Sequence, residues 1–277
     1  MKKNLCLSKK AFSLVEMLVV LSILAIIATT VGGVYINIQK QKAYEITLQV
    51  MEEVKKAILG SYYPKIRGVN ISGYVADMGN LPELYDENGK KDPNGQPKAL
   101  WTNDLDNDGK PDFPLWKYYE DKRIWAGWNG PYIGRPGCKH DKFCSIIDGW
   151  GRLLRFIKGP NEDHHLKDGD MKIISYGADG RPGGSGLDED IEMVIKKEHY
   201  MAPVGFHVER FRGSLTIYYP ENGELTEMIV NVDDNGNFMS DKNQLIPIGL
   251  RSIDSPSGGK PIVFSVEPTM NWLGTLE

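Results

Sequence analysis

The chain has 277 residues, 41% of them hydrophobic and 10% aromatic, with 30 glycines, 16 prolines and a formal charge of −4. Length and aromatic content allow a buried core in more than one small domain and exclude a disordered chain. The acidic balance excludes nucleic acid as the main partner, because phosphate contacts need a basic surface.

Met1 to Ala11 carries Lys2, Lys3, Lys9 and Lys10 and has no apolar run of its own. Ala11-Phe12-Ser13-Leu14-Val15-Glu16 follows, and then Met17 to Ile36 without a formal charge. About 20 apolar residues in a helix cross a bilayer core. A carboxylate at the head of such a segment is costly and is usually retained for a task. An ordinary secretory signal runs basic part, apolar part, small-residue cut site. Here the small residue Ala11 lies between the basic and apolar parts, so a cut before Phe12 leaves the apolar helix on the mature protein. Losing the four leader lysines takes the formal charge from −4 to −8.

One continuous helix is expected from Phe12 to about Leu59. Ile46, Val50, Val54, Ala57 and Ile58 form the stripe of a half-buried helix. Lys55 and Lys56 sit in its last turn, and Gly60 is its stop. Residues 61–147 are rich in Pro, Gly, Asn and Asp and read as a long elaborated loop region with short elements. Strands are expected at Leu153–Lys158, Met171–Tyr176 and Asp190–Ile195. Further strands follow at Val204–Val208, Ser214–Tyr219, Leu225–Val232, Gln244–Ile253 and Ile262–Val266, with turns at Asn222-Gly223 and Asn235-Gly236. Five short strands of this kind predict a small β-sandwich over 201–277.

Cys6 lies in the leader, which leaves Cys138 and Cys144 with five residues between them. An intrachain disulfide is the default outside the cytoplasm; a metal site using both thiols and His140 is the rival. Two loops concentrate carboxylates. In the first, Asp104, Asp106, Asp108 and Asp112 fall at positions 1, 3, 5 and 9 of an EF-type loop, with Gly109 at position 6. Position 12 is Leu115 instead of Glu, so the alternatives are a looser calcium turn and an Asx-rich turn. In the second, Asp179, Asp188 and Asp190 share a glycine-rich turn, read either as a calcium loop or as a solvated acidic turn. No HExxH, Walker loop or G-x-S-x-G elbow occurs, and no enzyme is expected.

The basic leader, Ala11, Phe12 and Glu16 together resemble the class III signal of type IV pilins and type II secretion pseudopilins, with Ala where the family usually has Gly before the cut. Asp148-Gly149-Trp150-Gly151 resembles the Asp-Pro-Trp-Gly of major pseudopilins. Ser175 to Ile191, with Ala178-Asp179-Gly180 and Asp188-Glu189-Asp190, resembles their calcium loop. The resemblance implies an α+β pilin-like fold: leader 1–11, helix 12–60, antiparallel-sheet head 61–200 and the added sandwich 201–277. It implies cleavage by a prepilin peptidase, methylation of the Phe12 amine, and pairing of Glu16 with that amine on a neighbouring subunit. It also implies calcium held by Asp179, Asp188 and Asp190, with Tyr176 offering a carbonyl. The partners so implied are copies of the chain, minor pseudopilins and an inner-membrane assembly platform. The head then faces out of the cytoplasm on a single-pass anchor and enters a periplasmic filament. The alternatives are a pilus subunit with an adhesive last domain and a membrane-anchored calcium-dependent binding module that does not polymerise.

Overall fold

A single helix, α1 (Leu14–Leu59), runs without a proline from the N-terminal signal into the head. The computed structural model describes residues 13–60, 73–134, 136, 138–139, 143–161 and 165–277, without side-chain detail at 28–34, 36, 138, 139, 143 and 161. Leader residues 1–11, including Ala11, and Phe12 therefore lie outside the described residues, as do His140 and His164. The helix starts two residues later than the periodicity predicts because Ser13 caps it. Ser13 Oγ accepts from Glu16 N at 3.2 Å and Glu16 Oε2 accepts from Ser13 N at 2.8 Å, a reciprocal capping box. Gly60, at φ 85, closes the other end with its N–H on the Lys56 carbonyl.

The helix then lives in two environments. Leu14 is 79% exposed and Ile26 is 64% exposed. From Ala43 onward one face is buried: Thr47, Met51, Val54, Ala57 and Ile58 enter the main core beside Tyr74, Leu100, Phe156 and Ile173. Each fully buried aliphatic side chain there contributes roughly 1.5–3 kcal/mol.

The head continues with α2 (Tyr74–Met78), wholly buried, and a hairpin of β1 (Lys117–Tyr119) and β2 (Ile124–Ala126). Next comes a two-residue ladder, β3 (Cys138–Lys139) with β4 (Phe143–Cys144). The central antiparallel sheet is β5 (Arg155–Lys158), β6 (Met171–Ser175) and β7 (Ile191–Ile195), with the acidic loop between the last two.

The C-terminal part is built on β8 (Met201–Ala202), β9 (Val204–Val208), β10 (Ser214–Glu221), β11 (Glu224–Asn231) and β12 (Asn237–Met239). It is completed by β13 (Ile246–Pro247), β14 (Gly249–Ile253), β15 (Ile262–Val266) and β16 (Asn271–Leu276). One sheet has the order β11-β10-β14-β15 and the other β12-β9-β16. Phe206, Leu215, Ile217, Val230 and Ile253 fill the core between them. Asn222 and Gly223, both at positive φ, turn β10 into β11 as their Asn-Gly chemistry requires. The expected single strand Gln244–Ile253 is interrupted at Ile248, whose N–H leaves the ladder for the Tyr200 carbonyl before Gly249 at φ 122. The architecture is α+β, a long N-terminal helix with antiparallel sheets and a β-rich C-terminal part.

Candidate functional site

The functional candidates lie along α1 and where the head meets it. At the exposed end, Glu16 is held in its capping box by Oε2. Its negative charge sits in the first turn, where the helix dipole favours it. Among the described residues no helix is long and apolar enough to cross a membrane.

Lower on α1 the Asp148-Gly-Trp-Gly151 turn docks against the helix. Gly149 N donates to Thr47 Oγ1 at 2.9 Å, and Thr47 Oγ1 donates to the Ala43 carbonyl at 2.8 Å. A Cβ on Gly149 would lie 2.0 Å from that same carbonyl oxygen. A proline here would introduce that clash and remove the N–H, which accounts for glycine where the motif that this turn resembles has proline. Asp148 is buried; Oδ1 accepts from Trp150 N and Arg152 N, and Oδ2 accepts from Ser175 Oγ at 2.8 Å. It thus ties the tryptophan turn to the root of the acidic loop. Thr47 and Ser13 are functional positions that sequence reasoning missed. The spacing Ser13-x-x-Glu16 is a capping-box signature that could have found the second.

The 177–190 loop folds tightly on itself. A Cβ on Gly177 would meet the Glu189 carbonyl oxygen at 2.6 Å, and one on Gly184 the Asp188 carbonyl oxygen at 2.3 Å. Asp190 Oδ2 accepts from Gly183 N, Asp179 Oδ1 from Arg181 N, and the Tyr176 carbonyl from Gly180 N. Asp188 Oδ1 and Asp190 Oδ1 are buried without a hydrogen-bond partner. Positive charge stands close by: Lys40 Nζ of α1 lies 3.5 Å from Asp188 Oδ1, and Arg152 Nη2 donates to the Gly177 carbonyl at 2.5 Å. The structure does not gather all three loop carboxylates within coordinating distance of one another. Among the described residues that holds only for Asp104, Asp106 and Asp108, whose ligand atoms lie within 4.8 Å.

Those three carboxylates are already engaged. Asp104 Oδ1 accepts from Asp108 N and Oδ2 from Gly109 N, Asp106 Oδ1 from Asp108 N, and Asp108 Oδ1 from Lys110 N. Asp112 turns away, its Oδ2 accepting from Leu105 N at 2.5 Å. Beneath the loop, Lys98 is buried with Nζ on the Glu87 and Leu105 carbonyls. Burial pulls its pKa down, while Asp86, Glu87 and Asp106 act the other way. Cys144 is disulfide-bonded, and its backbone partner across the ladder is Cys138.

The joint between head and sandwich carries buried charge. The Arg251 guanidinium is buried and donates to the carbonyls of Pro247, Ala76, Leu250 and Ile248. Burial pulls its pKa down to about 9, with Asp77 opposing, so it stays a cation at neutral pH. Asp77, on α2, is pushed up to about 7 by burial, against lowering by Tyr132, Arg251 and Asn129.

Residues 6–32 match the family model described as the prokaryotic N-terminal methylation motif. The match covers the signal and the start of α1 and leaves the head outside it. No curated protein matches the chain significantly. No solved structure does so either. The chain carries a type IV pilin-like prepilin signal, which supports a filament subunit that self-assembles after processing by prepilin peptidase.

Proposed function

We propose that this chain is a pseudopilin, a structural subunit of a type II secretion pseudopilus that supports protein export. The observation behind the proposal is a methylation motif leading into a helix whose side chains from Leu14 to Ile27 are all exposed in the subunit. A contiguous apolar surface of that kind requires a second environment, lipid before assembly and neighbouring helices after it. Glu16, exposed at the head of the helix, neutralises the methylated amine of Phe12 on the next subunit. Within an apolar filament core a paired charge is tolerable and a lone one is not. The helix anchors the subunit in the inner membrane with the head outside the cytoplasm. Minor pseudopilins and the assembly platform are the remaining partners.

Calcium belongs to the same reading. The 177–190 loop offers a hard cation two buried carboxylate oxygens: Asp190 Oδ1, which has no hydrogen-bond partner, and Asp188 Oδ1, whose one counter-charge is Lys40 Nζ at 3.5 Å. Asp179, Asp188, Asp190 and the Tyr176 carbonyl would hold it, the cation drawing together carboxylates that stand apart without it. The 104–112 loop fits less well, its oxygens being spent on backbone N–H groups.

Glu16→Gln in the full chain tests the proposal. Leader cleavage should persist while cysteine crosslinking along the helix loses the homotypic ladder given by wild type. A ladder of wild-type intensity from the variant would overturn the assembly role. Deleting the gene should abolish release of exported proteins and leave surface pili intact; the reverse result would assign the chain to a pilus.

A further inference from the structure

The β1–β2 hairpin carries an aromatic face left exposed by the described residues. Trp116, Tyr118 and Trp125 are 38%, 38% and 44% exposed. Their rings form a continuous array, with Trp116 and Trp125 centroids 4.5 Å apart at 33° and Tyr118 and Trp125 centroids 5.0 Å apart at 42°. The opposite face, Ile124 and Ala126, is buried, and β2 lies against α2, β10 and β14. The hairpin tip is clipped down as well. Lys122 Nζ donates to Tyr218 OH at 3.0 Å and Arg123 Nη1 to the Pro261 carbonyl at 3.0 Å. The rings are thus presented on a fixed support, which spares a ligand the entropy of ordering them.

Beside the rings opens a cleft of about 290 Å³, lined by Trp116, Trp125, Ile124, Leu250, Arg123 and Asp77. Asp77 is 5% exposed, and its Oδ2 is buried without a hydrogen-bond partner. Arg123 spends one nitrogen on Pro261 and carries further N–H donors. An aromatic face, an acceptor short of a donor and a donor with capacity to spare suit a ligand that is apolar on one face and hydroxylated at its rim.

We infer that the aromatic face and its cleft form a binding site for a neutral glycan, with a pyranose ring stacked on Trp116 and Trp125 and its hydroxyls meeting Asp77 and Arg123. Size and charge separate this ligand from its rivals. A stable protein–protein contact buries on the order of 800 Å² per partner, whereas this cleft holds one or two rings. The net charge of −4 repels a polyanion, which removes nucleic acid as a stacking ligand. The site does not depend on filament assembly, so the two readings fail separately.

The test uses the full chain in zwitterionic micelles free of sugar headgroups. Cellohexaose, maltohexaose and the hexamer of N-acetylglucosamine are titrated, followed by tryptophan fluorescence and calorimetry. At least one should saturate below millimolar concentration. Trp116→Ala and Trp125→Ala should each weaken it about tenfold or more, as the loss of one aromatic stack implies, without moving the melting temperature. Trp125→Phe should recover most of the loss, and Arg123→Ala should weaken binding severalfold. The site is overturned if none of the three saturates at about ten millimolar, a concentration that covers weak single-ring sites. Wild-type affinity in both alanine variants would overturn it too. So would a change in self-association of those variants by sedimentation with no sugar bound, which would give the face to a second copy.

Discussion

Two halves of one helix meet opposite surroundings. Between Leu14 and Ile27 every described apolar side chain is exposed, so this stretch has no stripe and no fixed face. From Ala43 to Leu59 the same helix alternates buried and exposed positions at helical spacing and carries the head's core on one side. Both halves belong to one unbroken α-helix, although the first is richer in β-branched residues and carries Gly32-Gly33. The second half is specified by partners inside the subunit, whereas the first must be specified by partners supplied from outside. Lys40 stands at the handover, exposed like the first half yet already 3.5 Å from Asp188 of the acidic loop.

The sharpest way to break this contrast is to cut into the second half. Met51 is completely buried, so Met51→Ala should cost about 2–5 kcal/mol of head stability by transfer and cavity terms, read by chemical denaturation. Leu18→Ala, the matching change in the first half, should leave that curve unmoved and reduce crosslinked filament instead. The handover comes next in size. If calcium fills the loop, millimolar calcium against chelator should stabilise the head by about 2.7 kcal/mol at a hundredfold excess over Kd. Asp179→Ala with Asp190→Ala should remove most of that gain in differential scanning calorimetry, and magnesium should replace calcium poorly because it holds its waters. A smaller effect is expected at Thr47, whose hydroxyl both donates to Ala43 and accepts from Gly149. Thr47→Val should cost roughly 1–3 kcal/mol by leaving the Gly149 N–H buried without its acceptor. The smallest effect separates cap from charge. Ser13→Ala should cost about 1 kcal/mol of local helix stability, seen by hydrogen exchange at the first turn, and spare assembly, unlike Glu16→Gln.

What the sequence made legible follows from how local each signal is. The strands Val204–Val208 and Ile262–Val266, the Asn222-Gly223 turn and the end of the α1 stripe at Val54, Ala57 and Ile58 are set by neighbours in the chain, and the structure has them where the pattern puts them. The start of that stripe is corrected: Ile46 is exposed and Val50 half-buried, and Thr47 and Met51 face the core instead, because the Asp148–Gly151 turn docks on the Ala43–Thr47 side of the helix. The β1–β2 hairpin was hidden inside the expected loop region because its turn, Glu120-Asp-Lys-Arg123, lacks the usual Gly or Asn and forces Arg123 to φ 59. Strand β16 was missed because it pairs in parallel with a distant strand and carries a bulge between Trp272 and Thr275, which spoils any alternation. Helix α2 has no polar face, its five residues being enclosed by the rest of the fold. At the site, the acidic positions were visible as composition. Their division into oxygens spent on backbone N–H groups at 104–112, one ion-paired with Lys40 at 188 and one without a hydrogen-bond partner at 190 depends on backbone directions that no residue pattern encodes.

The close approach of Gly149 to Ala43 has a mechanical consequence. Sliding the helix by one turn, about 5.4 Å, would break the Thr47–Gly149 hydrogen bond and drive the tryptophan turn into helix backbone. Tension applied along the helix is therefore transmitted to the sheet at Ala43–Thr47, through a contact with no slack. Any stretching is confined to the helix ahead of Ala43, where Gly32-Gly33 weakens the coil. The head then moves as a stiff weight on an extensible stem, and its acidic loop, resting on Lys40, lies at the boundary between the two.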